Sequence, residues 1–260
     1  MNHSCPNLSK HAIGYTISNI SQFFLDTHMK AMILAAGRGE RMRPLTDTCP
    51  KPLLKVGKEP LICWHLRRLK QAGITEIVIN YAWLGEQIEQ TLGNGAQYGV
   101  NIAYSPELSG GLETAGGIAT ALPLLGNEPF LVINGDVLTD IDFQAAASMA
   151  QILTQKQQLA HLWLVNNPAH NPEGDFGLLS DGLIASDPHN GQGLTFSGMG
   201  VYHPDLFQHT PAHQAAKLAP LLRAAMDKQQ ISGQKHDGLW LDVGTIERLE
   251  EANRLAENWV

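Results

Sequence analysis

The stretch MKAMILAAGRGERMRPLTDTCPKPLLKVGKEPLI, residues 29–62, sends an apolar run into a glycine- and arginine-rich loop and then sets a lysine between two prolines. The run AMILAA (31–36) suits a buried strand. Just beyond it, Gly37 and Gly39 leave room for backbone amides to approach a ligand, and Arg38, Arg41 and Arg43 add positive charge. That combination suits a polyphosphate, although a tight turn with solvated arginines would use the same residues. The spacing fits neither G-x-x-x-x-G-K-[ST] nor G-x-G-x-x-G, so a P-loop and a dinucleotide fingerprint are both excluded. Pro50 and Pro52 restrict the backbone around Lys51 and can aim its ammonium, the alternative being a lysine in a surface turn.

The same charge is scarce elsewhere. The chain has 260 residues, 43% hydrophobic and 17% charged, enough for one large domain with a sizeable core. Its formal net charge of -7 argues against sequence-independent nucleic-acid binding, which depends on clustered Lys and Arg. Nine of the 18 Lys and Arg lie within residues 38–70, so basic charge is local to the opening stretch and any phosphate handled is a small bound one. Cys5, Cys49 and Cys63 are too few and too widely spaced for a disulfide framework or a zinc ribbon, and a reducing cytoplasm is the expected setting. No apolar run reaches the ~18 residues of a membrane span. Residues 1–28 make a poor signal peptide and are expected to form a disordered leader, leaving 29–260 as a single domain.

Strand-length apolar runs then alternate with helical patterns. AMILAA (31–36) precedes a helix over 60–72, EIVINY (76–81) one over 84–92, NIAY (101–104) the run TAGGIATALPLL, and PFLVING (129–135) a helix from residue 142. Repeated β-α-β with short connections implies an α/β fold: a Rossmann-like, mostly parallel mixed sheet with helices on both faces. Ligands bind at the carboxyl ends of such strands. From residue 159 the rhythm changes to short strands (LAHLWLV, FGLL, GLTFSGMGVYH, GLWLDV) around a helix over 213–228. We divide the domain accordingly into a first half, 29–158, and a second, mixed half, 159–260, that closes over it.

Two aspartates end apolar strands. FLVINGD brings Asp136 beside Gly135, and GLWLDV brings Asp242 just before a helix. Lone strand-end aspartates commonly form caps or turns, but a pair near a phosphate loop makes a Mg²⁺ site, since that ion takes one or two carboxylates plus substrate phosphates.

Together, LAAGRGERMRPLT…KPLL, LETAGGI, NGD and WLDVGT resemble the sugar-1-phosphate nucleotidylyltransferases, whose fold is the nucleotide-diphospho-sugar transferase type, from residue 29 to the last helix. The resemblance implies a reaction between an NTP and a sugar 1-phosphate that gives a nucleotide-sugar and pyrophosphate, with 29–158 as the nucleotide-binding half and 159–260 as the sugar-binding half. By motif it puts Ala36, Gly37, Arg38 and Gly39 around the triphosphate, Arg41 on the leaving pyrophosphate, Lys51 against the reacting phosphates, and Mg²⁺ on Asp136 and Asp242. Both cations are expected in exposed loops. The segment YSPELSGGLETAGGI (104–118) corresponds to the family's base-reading loop, with Glu107, Thr114, Ala115 and Gly116 facing the base; Thr114 can equally be a helix N-cap.

One family feature is missing. Many members carry a Glu-Lys-Pro segment whose Glu meets sugar hydroxyls and whose Lys meets the sugar phosphate, whereas LIASDPHNGQGLTFSG (183–198) has neither Glu nor Lys. Asn166, Asp175, Ser197 and Gly198 remain as sugar-side candidates by position. A site without the acceptor Glu suits a bulkier, acidic sugar, and we expect UTP with N-acetylmuramate 1-phosphate, a reaction of peptidoglycan recycling. The alternatives are a guanylyl-, thymidylyl- or uridylyltransferase for mannose or glucose 1-phosphate, or a nucleotide-sugar-binding regulatory module without chemistry. His209 and His213 have metal-pair spacing but are separated by Pro211 and read as loop residues.

Overall fold

The computed structural model describes residues 29–257 apart from residue 109. The expectation for residues 1–28 lies outside the described residues. Strand β1 (Lys30–Leu34) takes the opening apolar run, and the short strands β2 (Lys55–Val56) and β3 (Glu59–Pro60) lead into helix α1 (Leu61–Gln71). β4 (Glu76–Tyr81), helix α2 (Gly85–Leu92), β5 (Asn101–Pro106), helix α3 (Glu113–Leu125), β6 (Phe130–Asn134) and β7 (Val137–Thr139) follow. Helix α4 (Ala145–Lys156) starts three residues later than its pattern suggested, because the Asp142 carboxylate accepts the Gln144 amide at 2.9 Å and holds a turn there.

Parallel strands run β5-β4-β1-β6, with β4 on one side of β1 and β6 on the other. The connection leaving β1 runs to β4 on one side, while β6 on the other side sends its chain away from β4. The loops therefore diverge at the carboxyl end of β1 and open a crevice in front of the glycine loop. Alternation along β1 sends Ala31 and Ile33 into a core with Ile62 and Leu66 of α1, Ile88 of α2 and Leu153 of α4. Met32 points the other way, into a core with Ile118 of α3. Helices thus cover both faces of the sheet.

The later strands do not form a lid over this half. β8 (Ala160–Val165), β9 (Phe176–Leu178), β10 (Ile184–Ala185) and β11 (Gln192–Tyr202) extend the same nine-stranded sheet sideways, because β11 pairs antiparallel with β6. The helix expected over 213–228 shortens to α5 (Leu218–Met226), since the Ala216 carbonyl accepts the Ala115 and Gly116 amides and holds its own segment extended. β12 (Ile231–Lys235) adds in parallel to β8. Finally β13 (Trp240–Asp242) pairs antiparallel with β7, and helix α6 (Ile246–Ala256), N-capped by the Thr245 hydroxyl, packs Ala252 and Ala256 on Met42, Val56 and Leu61. This last unit returns the chain to the glycine loop.

Two buried histidines give the fold a pH dependence. Burial, aided by the Arg68 charge, lowers His65 from its ordinary 6.5 to about 4, and burial lowers His161 to about 4 as well. The unfolded chain takes up these protons near pH 6.5 and the folded chain only near pH 4, so stability is full above about pH 6.5 and is lost as pH falls through that window. The loss is on the order of 3 kcal/mol per histidine. The melting temperature should fall steadily between pH 7 and pH 4, and His65→Phe should make that fall shallower; a flat profile would contradict it.

Candidate active site

A cleft of about 1230 Å³ opens at the carboxyl ends of β1, β4 and β6. Ala36, Gly37, Arg38, Gly39 and Arg41 line it together with Lys51, Glu107, Thr114 and Asp136, so segments spread over a hundred residues of sequence meet there. Gly39 has φ 69, and a Cβ at that position would lie 2.9 Å from Thr46 Cγ2, which explains glycine at the loop's second bend. Gly135 lets β6 turn against β1: its amide donates to the Leu34 carbonyl at 2.9 Å, and a Cβ there would lie 2.7 Å from the same oxygen.

Arg41 is exposed, and among the described residues its side chain has no hydrogen bond or ion pair. It stands free to meet an anion. Lys51 differs from the expected exposed loop lysine. The turn after Pro50 buries it, at 9% exposure, and its Nζ meets Asp136 Oδ2 at 2.5 Å. The prolines do aim the ammonium, and they aim it at a carboxylate of the cleft.

Arg38 also departs from the expectation. Its guanidinium lies 3.8 Å from the Trp83 ring centroid, donates to the Thr46 carbonyl at 2.8 Å and pairs with Asp47 at 3.1 Å. Trp83 Nε1 donates to the same carbonyl at 3.0 Å. These contacts make Arg38 a brace for the glycine loop, with little left to offer a phosphate. Arg38→Ala should therefore raise the KM for nucleotide only a few-fold, because loop order and not a direct charge contact is removed; a loss as large as that of Arg41→Ala, measured by steady-state kinetics, would contradict this.

A buried chain of polar groups joins three strand ends. Asn80 Oδ1 accepts the Ala35 amide at 2.9 Å, Asn80 Nδ2 donates to Glu107 Oε1 at 2.7 Å, and Glu107 Oε2 accepts the Leu112 amide at 2.6 Å. Desolvation raises the Glu107 pKa, and the two hydrogen bonds oppose the rise. Both carboxylate oxygens are thus engaged, one by Asn80 of β4 and the other by the Leu112 amide. Thr114 lines the cleft beside Glu107. Leu112 and not Thr114 occupies the N-cap of α3. Ala115 and Gly116 are not in the cleft lining, and their amides bond to the Ala216 carbonyl at 2.9 and 3.1 Å. A Cβ on Gly116 would lie 2.1 Å from the Gln214 carbonyl, so that glycine serves packing.

Asp242 is not in the cleft lining, although Gly244 two residues on is; Arg248 holds its carboxylate, with His170 Nε2 at 3.6 Å. Its neighbour Val243 donates its amide to the Asp136 carbonyl at 2.8 Å, so the backbones carrying the two carboxylates are bonded to each other. No group of three or more His, Cys, Asp and Glu side chains forms a metal cage among the described residues.

The sugar-side candidates are more scattered. Asn166 is exposed, and Asp175 accepts the Phe196 amide at 2.8 Å and Asn171 Nδ2 at 3.1 Å, bonds that organise its own loop. Ser197 is buried, its Oγ accepting the Met199 amide at 3.2 Å while its carbonyl accepts Trp240 Nε1 at 2.8 Å. Gly198 does abut the cleft: a Cβ there would lie 2.5 Å from Nδ2 of Asn134, a lining residue. Sequence reasoning missed Asn80 and Asn134, although each is the first polar residue after an apolar strand (EIVIN, FLVIN), the signal that singled out Asp136. It also missed Arg248 and His170, which no local pattern marks.

The nucleotidyl transferase family model matches residues 30–258. The chain is 67% identical over 231 residues to the N-acetylmuramate alpha-1-phosphate uridylyltransferase of Neisseria meningitidis, covering 89% of this chain and 100% of that protein. The protein of the same description from Caulobacter vibrioides is 32% identical, over 87% of this chain and 97% of its own. A solved structure described as a glucose-1-phosphate thymidylyltransferase from Bacillus anthracis superposes with a TM-score of 0.76 at 25% identity, over 89% of this chain and 96% of that one.

Proposed function

Because the chain belongs to the nucleotidyl transferase family, we propose that it joins UTP to N-acetylmuramate α-1-phosphate, giving UDP-N-acetylmuramate and pyrophosphate. The observation that carries the reaction is the cleft itself, which gathers the glycine loop, the free Arg41, Lys51 and Asp136 at the strand ends. The choice of sugar and base rests on the two uridylyltransferase relatives and on the absence of an acceptor Glu and Lys from residues 183–198. Such a step would belong to the recycling of peptidoglycan sugars in the cytoplasm, where UTP is made. No described helix is long and apolar enough to cross a membrane.

In the reaction an oxygen of the sugar phosphate attacks the α-phosphorus of UTP. The new P–O bond forms as the bond from the α-phosphorus to the β-bridging oxygen breaks, and pyrophosphate leaves with that electron pair. No covalent enzyme intermediate is required, so positioning and charge neutralisation make up the protein's part. The amides of 36–39 cradle the triphosphate, and Arg41 takes the charge that grows on pyrophosphate. Lys51, already aimed into the cleft, sits against the reacting phosphates.

Asp136 and Asp242 would hold Mg²⁺. Their donor set fits that ion: two carboxylates on segments joined by the bond from the Val243 amide to the Asp136 carbonyl, with the remaining ligands left to substrate phosphates and water. Bound there, the ion would neutralise phosphate charge so that an anionic nucleophile can approach an anionic electrophile.

Pyrophosphate release from UTP, GTP, dTTP and ATP, each against the 1-phosphates of N-acetylmuramate, N-acetylglucosamine, glucose and mannose, tests the proposal. UTP with N-acetylmuramate 1-phosphate should give the highest kcat/KM. Equal or better use of N-acetylglucosamine 1-phosphate, which lacks only the lactyl group, would overturn the sugar assignment. Binding of nucleotide-sugar without any turnover would favour the regulatory-module alternative.

A further inference from the structure

Two like charges converge beside Asp242. A side chain on Gly244 would begin 2.9 Å from Arg41 Nη2, 3.0 Å from Arg248 Nη2 and 3.3 Å from Asp242 Oδ2, so two guanidinium groups and the Asp242 carboxylate face one point. The other nitrogen of Arg248 holds Asp242 and lies 3.3 Å from His170 Nε2. Arg248 is placed by the first turn of α6, where its own amide donates to the Thr245 cap at 3.3 Å and the helix dipole adds positive potential. Two guanidinium groups that face one point favour an anion between them.

We infer that Arg248 is a substrate-binding residue for the phosphate of the sugar 1-phosphate, with His170 as its positioning partner. The triphosphate side is already supplied by the glycine loop and Arg41. The acceptor side is less well supplied: residues 183–198 contain no Lys or Arg, Arg223 is engaged by the Ser186 carbonyl, and Lys51, set against the reacting phosphates, shares its charge with Asp136. Arg248 faces Arg41 of the glycine loop across Gly244 and meets the 166–175 loop through His170. Gly244 keeps the space between the two guanidinium groups clear for the incoming oxygens. This inference deepens the proposed function and rests on it.

The test is steady-state kinetics of the full chain with UTP and, separately, N-acetylmuramate 1-phosphate and N-acetylglucosamine 1-phosphate, for wild type, Arg248→Ala, Arg248→Lys and His170→Ala. A lost charged hydrogen bond should raise the KM for both sugar phosphates about tenfold or more in Arg248→Ala, by the same factor for each, with the KM for UTP within about twofold. Arg248→Lys should recover part of that loss, and His170→Ala should show a smaller rise of the same kind. Equal rises for UTP and sugar phosphate would overturn the inference, as would a rise confined to the muramate, which would move Arg248 to the lactyl carboxylate. Should Arg248→Ala fail to fold, as judged by circular dichroism, Arg248→Lys carries the same comparison. A wild type that releases no pyrophosphate with any sugar phosphate would instead defeat the proposed function itself.

Discussion

Asp136→Asn is expected to lower kcat by about 10²-fold or more while the chain stays folded. The change keeps the shape of the side chain but removes the charge that Lys51 meets at 2.5 Å and that a divalent ion would use. Losing one electrostatic group at a reacting centre commonly costs that much. The fold should also feel it, because Lys51 is buried and would face a neutral amide; a loss of about 1–3 kcal/mol follows from leaving a buried charge without its partner. Kinetics across a Mg²⁺ series, with thermal melts of the same samples, separate the two effects. Full turnover at ordinary Mg²⁺ would remove Asp136 from the metal site.

Arg41→Ala is the contrasting case. We expect a fall in kcat of about 10²-fold or more with the melting temperature unchanged, because Arg41 is exposed and bonds to nothing among the described residues. Stability should move by no more than about 0.5 kcal/mol. Lys51→Ala, which sequence alone would group with it, should lower both activity and stability, since its ammonium is enclosed and paired. A collapse of melting in Arg41→Ala would show that its role is to hold the loop.

Where a feature depends on neighbours in sequence, it was legible. The strands β1, β4 and β6 are uninterrupted apolar runs ending at a polar residue or a glycine, and their bounds fall within a residue or two of the pattern. The glycine loop, Lys51 and Asp136 follow from such strand ends and from prolines, and they do meet in one cleft. What could not be read depends on contacts across long separations. Arg38 looks like a phosphate ligand until Trp83, 45 positions on, takes its guanidinium. Ala115 and Gly116 look like amides at an open helix start until the carbonyl of Ala216 covers them. Nothing in the run QGLTFSGMGVY announces that it pairs with β6 and makes one sheet of the two halves. Arg248 belongs to an ordinary helical pattern, and its place beside Asp242 and Arg41 comes from β13 returning to β7.

The central claim is that sugar phosphate and nucleotide exchange a pyrophosphate for a new phosphoanhydride. Phosphorus NMR of the full chain with UTP, N-acetylmuramate 1-phosphate and Mg²⁺ reads that exchange directly. The account predicts that the signals of UTP and of the sugar monophosphate fall together, replaced in equal amounts by inorganic pyrophosphate and by the paired resonances of a sugar diphosphonucleoside. Unchanged UTP, or UTP consumed while the sugar phosphate persists, would contradict it.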